Sequence, residues 1–81
     1  MNRYIATFHT HLSALLTSRT LQSRGIAARM APVPRSLSSS CGTCVRYTAA
    51  TPLTEMMHAD YDAIYEAADG KYHELQKNQD T

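Results

Sequence analysis

The chain has 81 residues, 43% of them hydrophobic and 19% charged, which is room for one domain of three or four elements and excludes a second lobe or a deep catalytic cleft. One Phe and no Trp leave the core to Leu, Ile, Val, Ala, Met and Tyr. No run approaches the ~18 to 20 apolar residues of a membrane span, and the N-terminus lacks the basic, hydrophobic, small-residue layout of a signal peptide, so the chain reads as cytoplasmic.

Arg3 to Thr10, RYIATFHT, alternates as a half-buried strand does, with Tyr4, Ala6 and Phe8 on one side and Ile5 and Thr7 on the other. Leu12, Leu15, Leu16 and Leu21 then recur at helical spacing, with Thr10 or His11 at the cap, Arg19 and Arg24 toward the C-terminal end and Gly25 in the C′ position. The spacing predicts a helix over about 11–24. IAARMAPV reads as a second strand stopped by Pro32 and Pro34, neither of which can donate to a central ladder. A serine-rich loop holding the chain's only two cysteines follows, and a third strand covers about 44–49.

Thr51-Pro52 has the form of a helix start. Leu53, Met57, Tyr61, Ile64, Ala68 and Leu75 are spaced by threes, fours and one seven, with Asp60, Asp62, Glu66 and Asp69 off that stripe, so 52–78 reads as an acidic amphipathic helix that Gly70 frays or breaks. The closing KNQDT reads as disordered. The predicted order is β-α-β-β-α, an α+β fold. Its third strand is inserted antiparallel between the first two, giving a three-stranded ferredoxin-like (split β-α-β) sheet with two helices on one face and no fourth strand. Within the single domain 1–81, residues 3–50 form the core and 52–78 the acidic helix. The missing strand leaves an edge open to a partner or to a second copy in a homodimer.

The net charge of +1 hides an asymmetry. Residues 1–51 hold six arginines and no acid, +6, while 52–81 hold seven acids against Lys71 and Lys77, −5. Either the acidic half lies on the basic half and neutralises it, or a basic surface is left to stabilise an anion. The arginines are scattered and lack interleaved aromatics, so nucleic acid is not an expected partner.

In a reducing compartment, Cys41 and Cys44 are candidates for redox, sulfur or metal chemistry rather than a structural disulfide. The topology brings the loop holding Cys41 to the end of the first strand, beside His9, Thr10 and His11 and near the N-terminus of the helix. Arg35 and Arg46 are close in sequence, and Gly42 lets the backbone fold round the sulfur. A thiol so placed should have its acidity raised.

Four readings of Cys41-Gly-Thr-Cys44 follow. The first is a CxxC dithiol redox pair, although a strand rather than a helix comes next. The second is a small zinc module using Cys41, Cys44, His9 and His11. The third is a single-cysteine persulfide or selenide carrier on Cys41. The fourth is two small buried hydrophobes at a strand start. His58 and His73 read as surface residues, and Ser36 and Ser38 to Ser40 have no base at catalytic spacing, so a spacer is the commoner explanation of the serines.

YIATF, the helix with its G-I-x-A-R exit, and above all M-x-P-V-P-R-x-L-S-S-S-C-G leading into a strand resemble the small bacterial family of selenium/sulfur (Se/S) carrier-like proteins, formerly a domain of unknown function. The resemblance covers about residues 3–49. It implies a non-enzymatic carrier rather than a classical enzyme, with no cofactor beyond covalent sulfur or selenium cargo. The cargo would sit on Cys41 as a persulfide-type adduct, with Gly42 and Arg35 as the matching glycine and basic residue. The implied partners are a donor such as a cysteine desulfurase and an acceptor protein. The resemblance does not extend to Cys44 or to a dithiol mechanism; read from placement alone, His9 or His11 would manage the proton, Arg35, Arg46 and backbone N–H groups would hold the anion, and Cys44, if its sulfur reaches Cys41, would expel the cargo by forming a disulfide.

Overall fold

The computed structural model describes residues 1–37, 39 and 41–79. Among these, five strands form one sheet with a single α-helix, in the chain order β1 (Asn2–Phe8), α1 (His11–Ser23), β2 (Ala27–Pro32), β3 (Thr43–Ala49), β4 (Tyr61–Ala68) and β5 (Lys71–Lys77). The spatial order is β2-β3-β1-β4-β5, every neighbouring pair antiparallel. The three-stranded ferredoxin-like sheet with two helices is therefore corrected to a mostly β, five-stranded sheet with one helix.

The correction lies after residue 51. Thr51-Pro52 starts no α-helix; the segment makes only a single 3-10 turn, Thr54–Met56, before the chain enters a β-hairpin. Asp69 and Gly70, at φ 55° and 73°, are the two left-handed residues of its tight turn, the backbone twist that a two-residue hairpin requires. The apparent helical stripe comes in part from irregular registers. β4 shifts against β1 between Thr7 and Phe8, and against β5 between Ile64 and Tyr65. The first shift puts its extra residue in β4, so Tyr61 and Ile64 fall three apart; the second puts it in β5, and Ile64 and Ala68 are four apart by ordinary alternation along β4. Of the expected disordered tail, Lys77 ends β5 and the Asn78 side chain donates to the Ala59 and Tyr61 carbonyls; positions 80 and 81 lie outside the described residues, as do Ser38 and Ser40.

Thr10 caps α1, its hydroxyl accepting from the Ser13 amide at 3.1 Å. At the other end Gly25 takes φ 77°, and the Ile26 amide returns to the Leu21 carbonyl, closing the helix. The face α1 turns inward is not the leucine stripe: Ser13, Ala14, Thr17, Ser18 and Leu21 are buried, whereas Leu12 and Leu16 are 62% and 40% exposed. Small side chains let the helix approach the large ones the sheet presents, Phe8, Tyr4, Tyr47 and Ile64, which with Ala6, Val45 and Tyr61 make the core. Tyr4 and Tyr47 pair across β1 and β3 with ring centroids 5.4 Å apart.

The opposite face of the sheet carries the alternate residues of the same strands. Ile5, Thr7, Cys44 and Ala63 are fully buried there, outside the helix-side core cluster. In register around them stand Arg3, Arg46, Arg29 and Tyr65, the long side chains of this face.

Candidate functional site

The connection from β2 to β3 is closed at its base by a bond from the Val33 amide to the Gly42 carbonyl, 3.1 Å, and tightened by the Leu37 amide on the Pro34 carbonyl. Gly42 holds φ 73°, a left-handed turn that a side chain resists, just before β3 begins. β1 stops pairing with β3 at Thr7 and Cys44. The carbonyl of the next residue, Phe8, accepts instead from the Ser39 hydroxyl at 2.9 Å and from the Cys41 thiol at 3.3 Å. A second carbonyl, that of Thr43, lies 3.5 Å from the same sulfur, and Ser39 Oγ lies 3.9 Å away. The Cys41 thiol is thus a donor to backbone oxygen, half-buried against the rim of the helix-side core.

The other predicted residues are placed differently. His11 Nδ1 is 3.3 Å from Oγ1 of Thr43, the residue whose carbonyl also accepts from the Cys41 thiol. His9 turns to Asp62, Nε2 to Oδ1 3.8 Å. Arg35 is exposed in the turn that follows Pro34. Arg46 is carried by β3 on the face of Cys44, two residues along the same strand. The helix N-terminus already has its own acceptors: Ser13 Oγ donates to Asp60 Oδ2 at 2.7 Å, and Thr10 takes the Ser13 amide. An acidic side chain therefore meets the positive end of α1 from within the chain.

Cys44 has a different environment. It is 0% exposed, its thiol donates to the Pro32 carbonyl at 3.6 Å, and it projects to the open face while Cys41 packs on the covered one. Burial pushes the Cys44 thiol up from its ordinary value, with Arg46 and Arg29 pulling it back in part. Both cysteines are free. Among the described residues no group of three or more His, Cys, Asp or Glu side chains is gathered to hold a metal ion, so Cys41, Cys44, His9 and His11 are not assembled as a zinc set. Sequence reasoning missed Ser39, read as spacer, and the Thr10–Ser13–Asp60 chain of bonds. Nothing in the primary structure marks Asp60 as the partner of a helix 47 residues upstream.

The family model described as "Putative Se/S carrier protein-like" matches residues 3–66, most of the chain, and the protein belongs to that family. The match runs from β1 into β4, past the stretch that carried the resemblance in the sequence. A curated relative, the uncharacterized protein YtiA of Escherichia coli (strain K12), is 26% identical over 74 residues, covering 80% of this chain and 87% of that protein. No solved structure matches. Among the described residues no helix is long and apolar enough to cross a membrane.

Proposed function

We propose that this protein carries one sulfur or selenium atom on Cys41 and hands it between partner proteins. The observation that supports this reading best is the unequal placement of the two thiols: Cys41 is half-exposed in a loop, whereas Cys44 has no accessible surface and a thiol whose ionisation burial disfavours. A carrier needs one reachable sulfur and a surface for partners, and membership of the Se/S carrier-like family points to the same chemistry.

Loading needs no net oxidation or reduction. The Cys41 thiolate attacks the outer sulfur of a persulfide on a donor such as a cysteine desulfurase; a new S–S bond forms at Cys41, the donor's S–S bond breaks, and the donor cysteine leaves as a thiolate. Delivery repeats the step with an acceptor thiolate as nucleophile. His11, which bonds the Thr43 side chain while the Thr43 carbonyl accepts from the thiol, is placed to take up the proton released when the thiol ionises. Release through a Cys41–Cys44 disulfide would expel the cargo as hydrosulfide, but it requires Cys44 to leave a buried strand position, so the one-cysteine route is favoured.

The test is to incubate the reduced protein with a cysteine desulfurase and cysteine and weigh it intact. The expected result is a gain of one sulfur atom that Cys41→Ala abolishes and Cys44→Ala leaves in place; an adduct retained by Cys41→Ala and lost by Cys44→Ala would reverse the assignment.

A further inference from the structure

On the open face of the sheet, three adjacent strands each contribute an arginine to one hollow of about 430 Å³: Arg3 from β1, Arg29 from β2 and Arg46 from β3, over a floor of Ile5, Ala27 and Ala67. Arg29 and Arg46 are direct cross-strand partners, and Arg3 pairs with Thr48, the next residue on the same face of β3. Like charges opposite one another in a sheet oppose folding. Seven acids are present elsewhere in the chain, yet among the described residues the side chain of none of the three arginines makes an ion pair or a hydrogen bond. Asp69 lines an adjoining hollow with Arg3 and Arg46 and makes no ion pair with either. Among the described residues, the acidic half therefore supplies no direct ion-pair partner to this cluster. Small residues at 27 and 67, where strands usually carry bulkier ones, leave the space above the floor open.

We infer that this hollow is a binding site for a small phosphorylated anion. Its volume is that of a small-molecule site. Three guanidinium groups round one space suit a group with three equivalent charged oxygens, whereas a single carboxylate is filled by one arginine fork. The site lies on the face opposite Cys41 and stands independently of the cysteine chemistry.

The experiment titrates pyrophosphate into the full-length protein by calorimetry, with thermal midpoints measured alongside. Saturable binding is expected, weakened roughly tenfold to a hundredfold by Arg29→Gln or Arg46→Gln and unchanged by Arg19→Gln on the exposed side of α1. Without pyrophosphate the two Gln variants should match or exceed the wild-type midpoint, because each removes half of a like-charge pair, and pyrophosphate should raise the midpoints of the wild type and of Arg19→Gln more than those of the two Gln variants at 29 and 46. Arg46→Lys, which keeps the charge and loses the fork, should bind more weakly than wild type while folding as well, and serves if a Gln variant fails to fold. Absence of saturation, or an equal loss with Arg19→Gln, would overturn the site. Citrate binding as tightly as pyrophosphate would overturn the phosphoryl assignment.

Discussion

The two faces of this sheet are made by the same strands and solve different problems. The covered face puts Tyr4, Ala6, Phe8, Val45, Tyr47 and Ile64 under a helix whose inward side is small and partly hydroxylic. The open face buries Ile5, Thr7, Cys44 and Ala63 with no helix above them. One side is sealed by an element, while the other carries long polar side chains around a hollow. The contrast explains why two cysteines three positions apart differ so much. Cys41 comes at the rim of the sealed side, where the loop passes the end of β1, and Cys44 is fixed by strand alternation into the floor of the other.

The comparison can be tested at the covered face first. Phe8→Ala should cost about 3–5 kcal/mol, most of the stability of a domain this small, read as a drop in the urea midpoint. A loss below about 1 kcal/mol would mean that the principal core is not under the helix. Thr10→Ala, which removes the cap holding α1 in place, should cost about 1 kcal/mol by the same measurement, and Thr10→Ser should restore most of it. The smallest effect belongs to the open face and concerns pH. The Cys44 thiol is held protonated in the fold. Above about pH 9 the unfolded chain gives up a proton that the folded chain keeps, so stability declines as pH rises. Urea midpoints at about pH 8 and about pH 10 should converge in Cys44→Ala more than in wild type. Some decline will persist, because Tyr47, pushed up by burial, then by Tyr4 and Glu55, acts in the same direction. An unchanged pH slope in Cys44→Ala would place Cys44 in contact with water.

The elements up to residue 49 were legible because local signals agreed. RYIATFHT alternates without interruption, Thr10 and Gly25 bracket the helix, and Pro32 marks where β2 stops. The leucine period marked α1 as a helix but did not tell which leucines are covered: Leu21 enters the core, while Leu12 and Leu16 face outward and the remaining inward positions are small. Beyond Thr51, an extra residue near the start of β4 shifts its period, and the resulting spacing of threes and fours imitates a helix. Asp69-Gly70 was the available clue, a dipeptide suited to a two-residue hairpin turn. For the site, chain topology was enough to bring the Cys41 loop to the end of β1. The face each side chain takes was also available in principle, since Cys44, Arg46 and Thr48 must share one side of a strand and Val45 and Tyr47 the other. The bonds to Phe8 were not, because they depend on where the β1–β3 ladder stops.

The rims of the sheet have a consequence of their own. β5, KYHELQK, is almost wholly exposed along one margin, with a lysine at either end and Glu74 in the middle, and β2 ends at Pro32 on the other. A newcomer strand laid against β5 would have to accommodate those charges, and one laid against the end of β2 would find no amide to grip. Such borders discourage lateral stacking of copies into fibres, so a small protein with nearly balanced charge can be abundant without clumping.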